Sequence, residues 1–155
     1  MLKKNKSSSV EENFLVCVDE SKEFIAALKY ACRNAKKNKM GLILLYVIES
    51  ESFRHWKGVE TIMRKEQEEQ GKEILAKYLN MVNNKYKIKV KSILKKGEII
   101  DTLINVLKYK RYKITNLVLG LAIENQASNK IISSLTSSYR KKLKIPITIV
   151  PDELE

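Results

Sequence analysis

The side chains able to do chemistry gather in one stretch of this chain. Ser133, Ser134, Thr136, Ser137 and Ser138 stand together at the expected start of a helix, after a polar loop that leaves Gly120. A helix N-terminus offers unpaired N–H groups and the positive end of a dipole, so hydroxyls there suit helix capping and anion contacts better than nucleophilic attack. The whole of Asn116–Pro151 reads as one unit. An apolar run, Leu117–Leu119, ends on Gly120; the loop follows, then a helix burying Ile131, Ile132, Leu135, Tyr139 and Leu143. A second apolar run, Ile147–Val150, closes on Pro151. This is a βαβ unit with a long loop at the carboxyl end of a strand, where parallel sheets bind ligands.

The remaining reactive residues are scattered. His55 is the sole histidine and sits beside Trp56 in a stretch without period, which fits a surface anchor better than a catalytic base. Cys17 lies in an apolar strand and Cys32 in a helix, without C-x-x-C spacing or clustered histidines, so both are expected as small buried hydrophobes. There is no G-x-S-x-G elbow, Walker loop, H-E-x-x-H or clustered carboxylate pair. No enzymatic activity is expected.

Composition bounds the rest. The 155 residues suit one domain, with 44% hydrophobic and 31% charged residues in the range of soluble globular proteins. The longest apolar run, Leu42–Ile48, is too short to span a bilayer, and the N-terminal residues lack the apolar core of a secretory signal, so a cytoplasmic protein is expected. The formal charge of +12 is carried almost wholly by lysine, spread along the chain, with arginine only at 33, 54, 64, 111 and 140. Readers of nucleic acid lean on arginine and interleaved aromatics, so nucleic acid is a possible partner but not the favoured one.

The elements that must position the loop follow from periodicity. Residues 1–12 are a basic tail, and the domain occupies 13–155. Phe14–Val18 and Leu42–Ile48 are continuous apolar runs, the mark of strands buried on both faces. Between them Phe24, Leu28, Ala31, Cys32 and Ala35 fall on one helix face, after a turn at Asp19-Glu20-Ser21. A long helix ends near Asn83, and Tyr86, Ile88 and Val90 alternate with lysines 85, 87, 89 and 91 as a strand at a sheet edge. Gly97-Glu98 turns into a helix carrying Ile99, Ile100, Leu103, Ile104 and Leu107. Five strands alternating with four helices mean an α/β fold: a parallel, doubly wound sheet covered on both faces.

Two families with this element order can be tested on residues. A response-regulator receiver would need an Asp at the end of the third strand, and the chain has Ile93-Leu94-Lys95-Lys96-Gly97 there. The universal stress protein family fits. Val16-Cys17-Val18-Asp19-Glu20-Ser21 resembles its first-strand V-x-V-D-x-S, and Leu44-Leu45-Tyr46-Val47-Ile48-Glu49 its second strand. Gly97-Glu98 stands where the family opens its third helix. Leu117–Gly120 resembles its fourth-strand end, and Ile145–Pro151 its closing strand.

The resemblance implies strand order 3-2-1-4-5 in a Rossmann-like sheet of the adenine nucleotide alpha hydrolase type, a homodimer through the C-terminal strand Ile147–Val150, and a regulatory role with an unknown protein partner. Nucleotide-binding members hold ATP with Mg²⁺ at the switch point, phosphates on a loop of Gly, two residues, Gly, nine residues, Gly, then Ser or Thr. Here those positions are Gly120, Ile123, Ser133 and Ser134. Two glycines are gone, and β-branched Ile123 disfavours the close phosphate approach that glycine allows. Asp19, Val47 and Gly120 remain at the family's ribose and adenine positions, and Asp19 could equally cap the helix after strand one. The expectation is a universal stress protein with a degenerate ATP-binding loop and no tightly bound cofactor. The alternatives are an ATP-binding switch or slow ATPase of the same family, and a basic binder of nucleic acid or anionic surfaces through Lys108–Lys113 and Arg140–Lys144.

Overall fold

The structure, a computed structural model, describes residues 11–49, 57–122 and 126–152. His55, Trp56, Ile123 and residues 1–10 of the expected tail lie outside the described residues. The strands are β1 (Asn13–Cys17), β2 (Gly41–Ile48), β3 (Val90–Lys96), β4 (Ile114–Leu121) and β5 (Ile147–Pro151). The helices are α1 (Lys22–Lys37), α2 (Lys57–Tyr86), α3 (Ile99–Lys108) and α4 (Gln126–Thr136). All strand pairs are parallel, in the order β3-β2-β1-β4-β5. The expected fold class and strand order are both found.

Alternation along the central strands divides one chain into two cores. Phe14 and Val16 of β1, with Leu42 and Leu44 of β2, pack under Phe24, Leu28, Ala31 and Cys32 of α1 and Leu75, Tyr78 and Val82 of α2. Leu15, Ile43, Leu45, Leu117 and Leu119 point the other way, onto Ile100, Leu103 and Ile104 of α3 and Leu135 of α4. A sheet covered on both faces requires strands apolar at every position, which is why β1 and β2 read as unbroken runs. The sheet ends differ in kind. β3 presents lysines, whereas β5 leaves Ile149 43% exposed.

Helix starts are set by local side-chain acceptors. Ser21 caps α1, its Oγ accepting from Phe24 N–H at 3.1 Å. Glu98 caps α3, accepting from Ile100 N–H at 3.0 Å and Asp101 N–H at 2.7 Å. Gly97 precedes it with φ 149, a conformation that L side chains rarely adopt, so glycine is required at that turn. Glu11 and Glu12, from the expected tail, are tied to the domain: Lys89 Nζ donates to Glu11, and Gly41 N–H donates to the Glu12 carbonyl.

Two expectations are corrected. The third strand lies at the sheet edge as expected but begins at Val90, and α2 continues through Lys85 and Tyr86. Leu75, Tyr78, Val82 and Tyr86 are all buried, and their spacing is that of one helix face, so burial every 3.6 residues overrode the lysine alternation. The second correction concerns α4. Its hydroxyls do not open the helix; they end it. Thr136 Oγ1 donates to the Ile132 carbonyl at 2.8 Å and Ser137 Oγ to the Ser133 carbonyl at 2.6 Å, in the last turn. Such bonds compete with the backbone ladder and favour helix ends. Ser138, Tyr139 and Leu143 therefore lie in the turns and coil beyond α4.

Candidate functional site

The carboxyl ends of β1 and β2 open into a cleft of about 310 Å³, whose lining includes Cys17, Asp19, Val47, Gln70, Ile99 and Ile131. It lies where the chain leaves β1 for one face of the sheet and β4 for the other, the switch point at which such sheets take ligands. Its volume is at the lower end of ligand pockets, and its lining mixes apolar side chains such as Val47, Ile99 and Ile131 with the polar Asp19 and Gln70. The Cys17 thiol on the floor is pushed up to about 12, first by burial and then by the Asp19 carboxylate. A thiol so raised favours its protonated form at neutral pH. Cys32, on the buried face of α1, is likewise raised to about 12 by burial.

Asp19 is held by its own turn. Its Oδ1 accepts from Ser21 N–H at 3.0 Å and from Ser21 Oγ at 2.6 Å, while Ser21 Oγ in turn caps α1. The carboxylate thus acts on the helix through Ser21, and its side chain borders the cleft with one oxygen committed. Glu20, the next residue, takes φ 60 and turns its carboxylate outward to Lys77 at 3.2 Å and Tyr78 OH at 3.3 Å.

Gly120 lies in β4 and lines a recess of about 20 Å³ that shares Cys17, Asp19 and Ile131 with the cleft. The reason for glycine is packing. A Cβ at this position would stand 2.2 Å from the Glu23 carbonyl oxygen in the first turn of α1. No side chain fits there, and the backbone keeps a negative φ. Close approach of helix and strand is therefore sufficient reason for a glycine here.

Past Gly120 a side chain takes up the peptide group of Ala122. Asn129 of α4 reaches back to Ala122: its Nδ2 donates to the Ala122 carbonyl at 2.9 Å, and its Oδ1 accepts from Ala122 N–H at 3.2 Å. Ala122 itself is 4% exposed. Ser133 and Ser134 stand inside the helical run of α4, so their N–H groups belong to its i→i−4 ladder. Neither lines the cleft or the recess. Of the expected site residues, Asp19 and Val47 come together in the cleft, Gly120 adjoins it, and Ser133 and Ser134 lie apart along the helix. Asn129 was missed by sequence reasoning, since an Asn in a polar loop gives no sign of the peptide group it will pair with. Among the described residues no group of three His, Cys, Asp or Glu could hold a metal ion.

The sequence profile of the universal stress protein family matches residues 12–151. No curated protein matches the chain. Among solved structures, a universal stress protein of Lactobacillus plantarum is similar with a TM-score of 0.72 and 18% identity, over 90% of this chain and 97% of that one. A universal stress protein family member of Burkholderia pseudomallei gives 0.71 and 16%, over 92% and 98%. A family member of Arabidopsis thaliana, solved with AMP bound, gives 0.62 and 16%, over 90% and 91%. At such identities the structures bear on the fold alone. With a family profile spanning nearly all of β1 to β5, the chain belongs to the universal stress protein family.

Proposed function

We propose that this protein is a non-enzymatic regulatory member of its family whose ATP-binding loop has degenerated, leaving a base-sized cleft without a phosphate cradle. One observation carries the reading. Among the described residues past β4, three backbone donors at or near the loop positions are engaged by the protein itself: Ala122 N–H by Asn129, and those of Ser133 and Ser134 by α4. Phosphate cradles work because several unpaired N–H groups converge on one point. That commitment of Ala122, Ser133 and Ser134 supports a loop that holds ATP with Mg²⁺ poorly. The cleft between Asp19 and Val47 remains large enough for a base, and a relative carries AMP.

Regulation then runs through surfaces. The exposed Ile149 on edge strand β5, beside the exposed Leu121 on β4, supports pairing of two copies through Ile147–Val150. The neutral thiols and the lack of a catalytic motif support a protein that acts by binding. The nucleotide reading is tested by comparing AMP, ADP and ATP with Mg²⁺ in thermal shift. Equal, small shifts are expected; stabilisation growing with each phosphate would overturn it. The dimer is tested by sedimentation of Ile149→Glu, expected to halve the particle mass.

A further inference from the structure

A second cavity, of about 530 Å³, is lined by residues that the nucleotide cleft does not use: Lys95 and Lys96 of β3, Thr102 and Asn105 of α3, and Tyr109 and Tyr112 beyond it. Thr102 and Asn105 lie three apart on one face of α3, and Tyr109 and Tyr112 line the cavity just past its last turn, so the cavity runs along α3, about 15 Å for a helix of this length. Its far end is the segment Lys108-Tyr109-Lys110-Arg111-Tyr112-Lys113, in which cations and rings alternate. The sequence reading treated that segment as a basic run and passed over its tyrosines.

The segment is fixed in shape. Residues 110–112 form a single 3-10 turn, and Lys113 closes it with φ 49. Asn13 Nδ2 donates to the Tyr112 carbonyl at 2.8 Å, and Asn13 N–H to the Lys113 carbonyl at 2.9 Å, which ties the turn to the start of β1. Tyr112 packs against the core and supports Tyr109 edge-to-face, with ring centroids 4.8 Å apart. Tyr109 is left 49% exposed. Burying a large ring is the usual outcome, so a propped, outward ring beside a cavity stands ready for a flat partner.

Charge selects that partner. Among Lys95, Lys96, Lys108, Lys110, Arg111 and Lys113, only Lys96 pairs with a described carboxylate, Glu68 at 2.8 Å. The nearby acids on α3 are committed elsewhere: Glu98 to capping, and Asp101 to the Tyr139 hydroxyl at 3.1 Å. We propose that this groove binds single-stranded nucleic acid without sequence preference, a base stacking on Tyr109 while neighbouring phosphates lie against Lys95, Lys110 and Arg111. Aromatic platforms in cationic grooves bind single strands in this way, since every base has a π face. A duplex keeps its bases stacked inside and offers none to Tyr109. A mononucleotide would fill the cavity but leave unused the cations that continue past it.

The test is fluorescence anisotropy of the full chain with a labelled oligothymidylate and the matching oligouridylate, in parallel with the same sequence as a duplex. Binding is expected with both single strands, falling steeply from about 50 to about 200 mM salt. Tyr109→Ala should weaken it about tenfold, the effect of one stacked base, and Tyr109→Phe should not. Lys110→Glu with Arg111→Glu should flatten the salt slope by at least about 0.7 per lost phosphate contact, whereas Lys141→Glu with Lys142→Glu should leave Tyr109 dependence intact. Lys95→Glu, on an exposed strand position, provides a loss that does not rest on removing a ring. No binding near 50 mM salt, equal competition by the duplex, or full affinity in Tyr109→Ala would each overturn the proposal.

Discussion

Two regions at the same end of the sheet have been built to opposite ends. At β1 and β2 the chain leaves a cleft bounded by Asp19 and Val47, with a neutral thiol as its floor. At the end of β4 it packs tightly on itself, with Glu23 against Gly120 and Asn129 against Ala122. Both lie where a parallel sheet takes ligands, and among the described residues the first offers the larger space, about 310 Å³ against about 20 Å³. The difference teaches that spacing alone does not make a phosphate loop. What matters is whether its N–H groups remain without partners once the chain has folded.

The contrast can be broken most strongly at Gly120. Gly120→Ala forces a Cβ onto the backbone of α1, and overpacking of this kind should remove about 3 kcal/mol, lowering Tm by about 6–12 °C in a chain of this size. Calorimetry checks it; an unchanged Tm would mean that α1 does not hold β4 so closely. Asn129→Ala comes next. It strips two hydrogen bonds from a buried residue and should destabilise by about 2 kcal/mol in urea titration, with Asn129→Asp between it and the parent. Ser21→Ala, which uncaps α1 at the open region, should lose about 1 kcal/mol. Asp19→Ala should lose less than Ser21→Ala, because it acts through that serine.

The smallest effect at neutral pH belongs to the thiols. Their folded values, about 12 against an ordinary 9.0, are raised, so the stability they contribute is complete below pH 9 and is lost as pH rises from there toward about 12. Tm should therefore be flat in the thiol contribution near pH 7 and fall in alkali, less so in Cys17→Ser. Native protein should also label slowly with iodoacetamide at pH 7.5, which mass spectrometry would read directly.

How much of this was legible differs between the two regions. The buried strands were, because Phe14–Val16 and Leu42–Leu45 must be apolar on both faces. So was the edge position of β3, from its lysines. Its start was not, since Lys85 to Lys91 alternate with apolar residues while Val82 and Tyr86 continue a helix face, and burial decided between the two periods. Asp19 and Val47 were found through motif resemblance, and their cleft needed only local strand ends to form. Gly120 was picked out by resemblance, and its packing role was not legible, because the atom that excludes a side chain belongs to Glu23, far earlier in the chain. Ser133 fills a glycine position and lets α4 run on, a consequence visible only when the helix bounds are known.

Isothermal titration of nucleotide-stripped protein with ATP and Mg²⁺, against AMP, tests the central claim most directly. If the proposed loss of the phosphate loop holds, ATP binds no more tightly than AMP, whatever the affinity of either for the cleft. ATP bound more than about tenfold tighter than AMP, some 1.4 kcal/mol drawn from its additional phosphates, would contradict it.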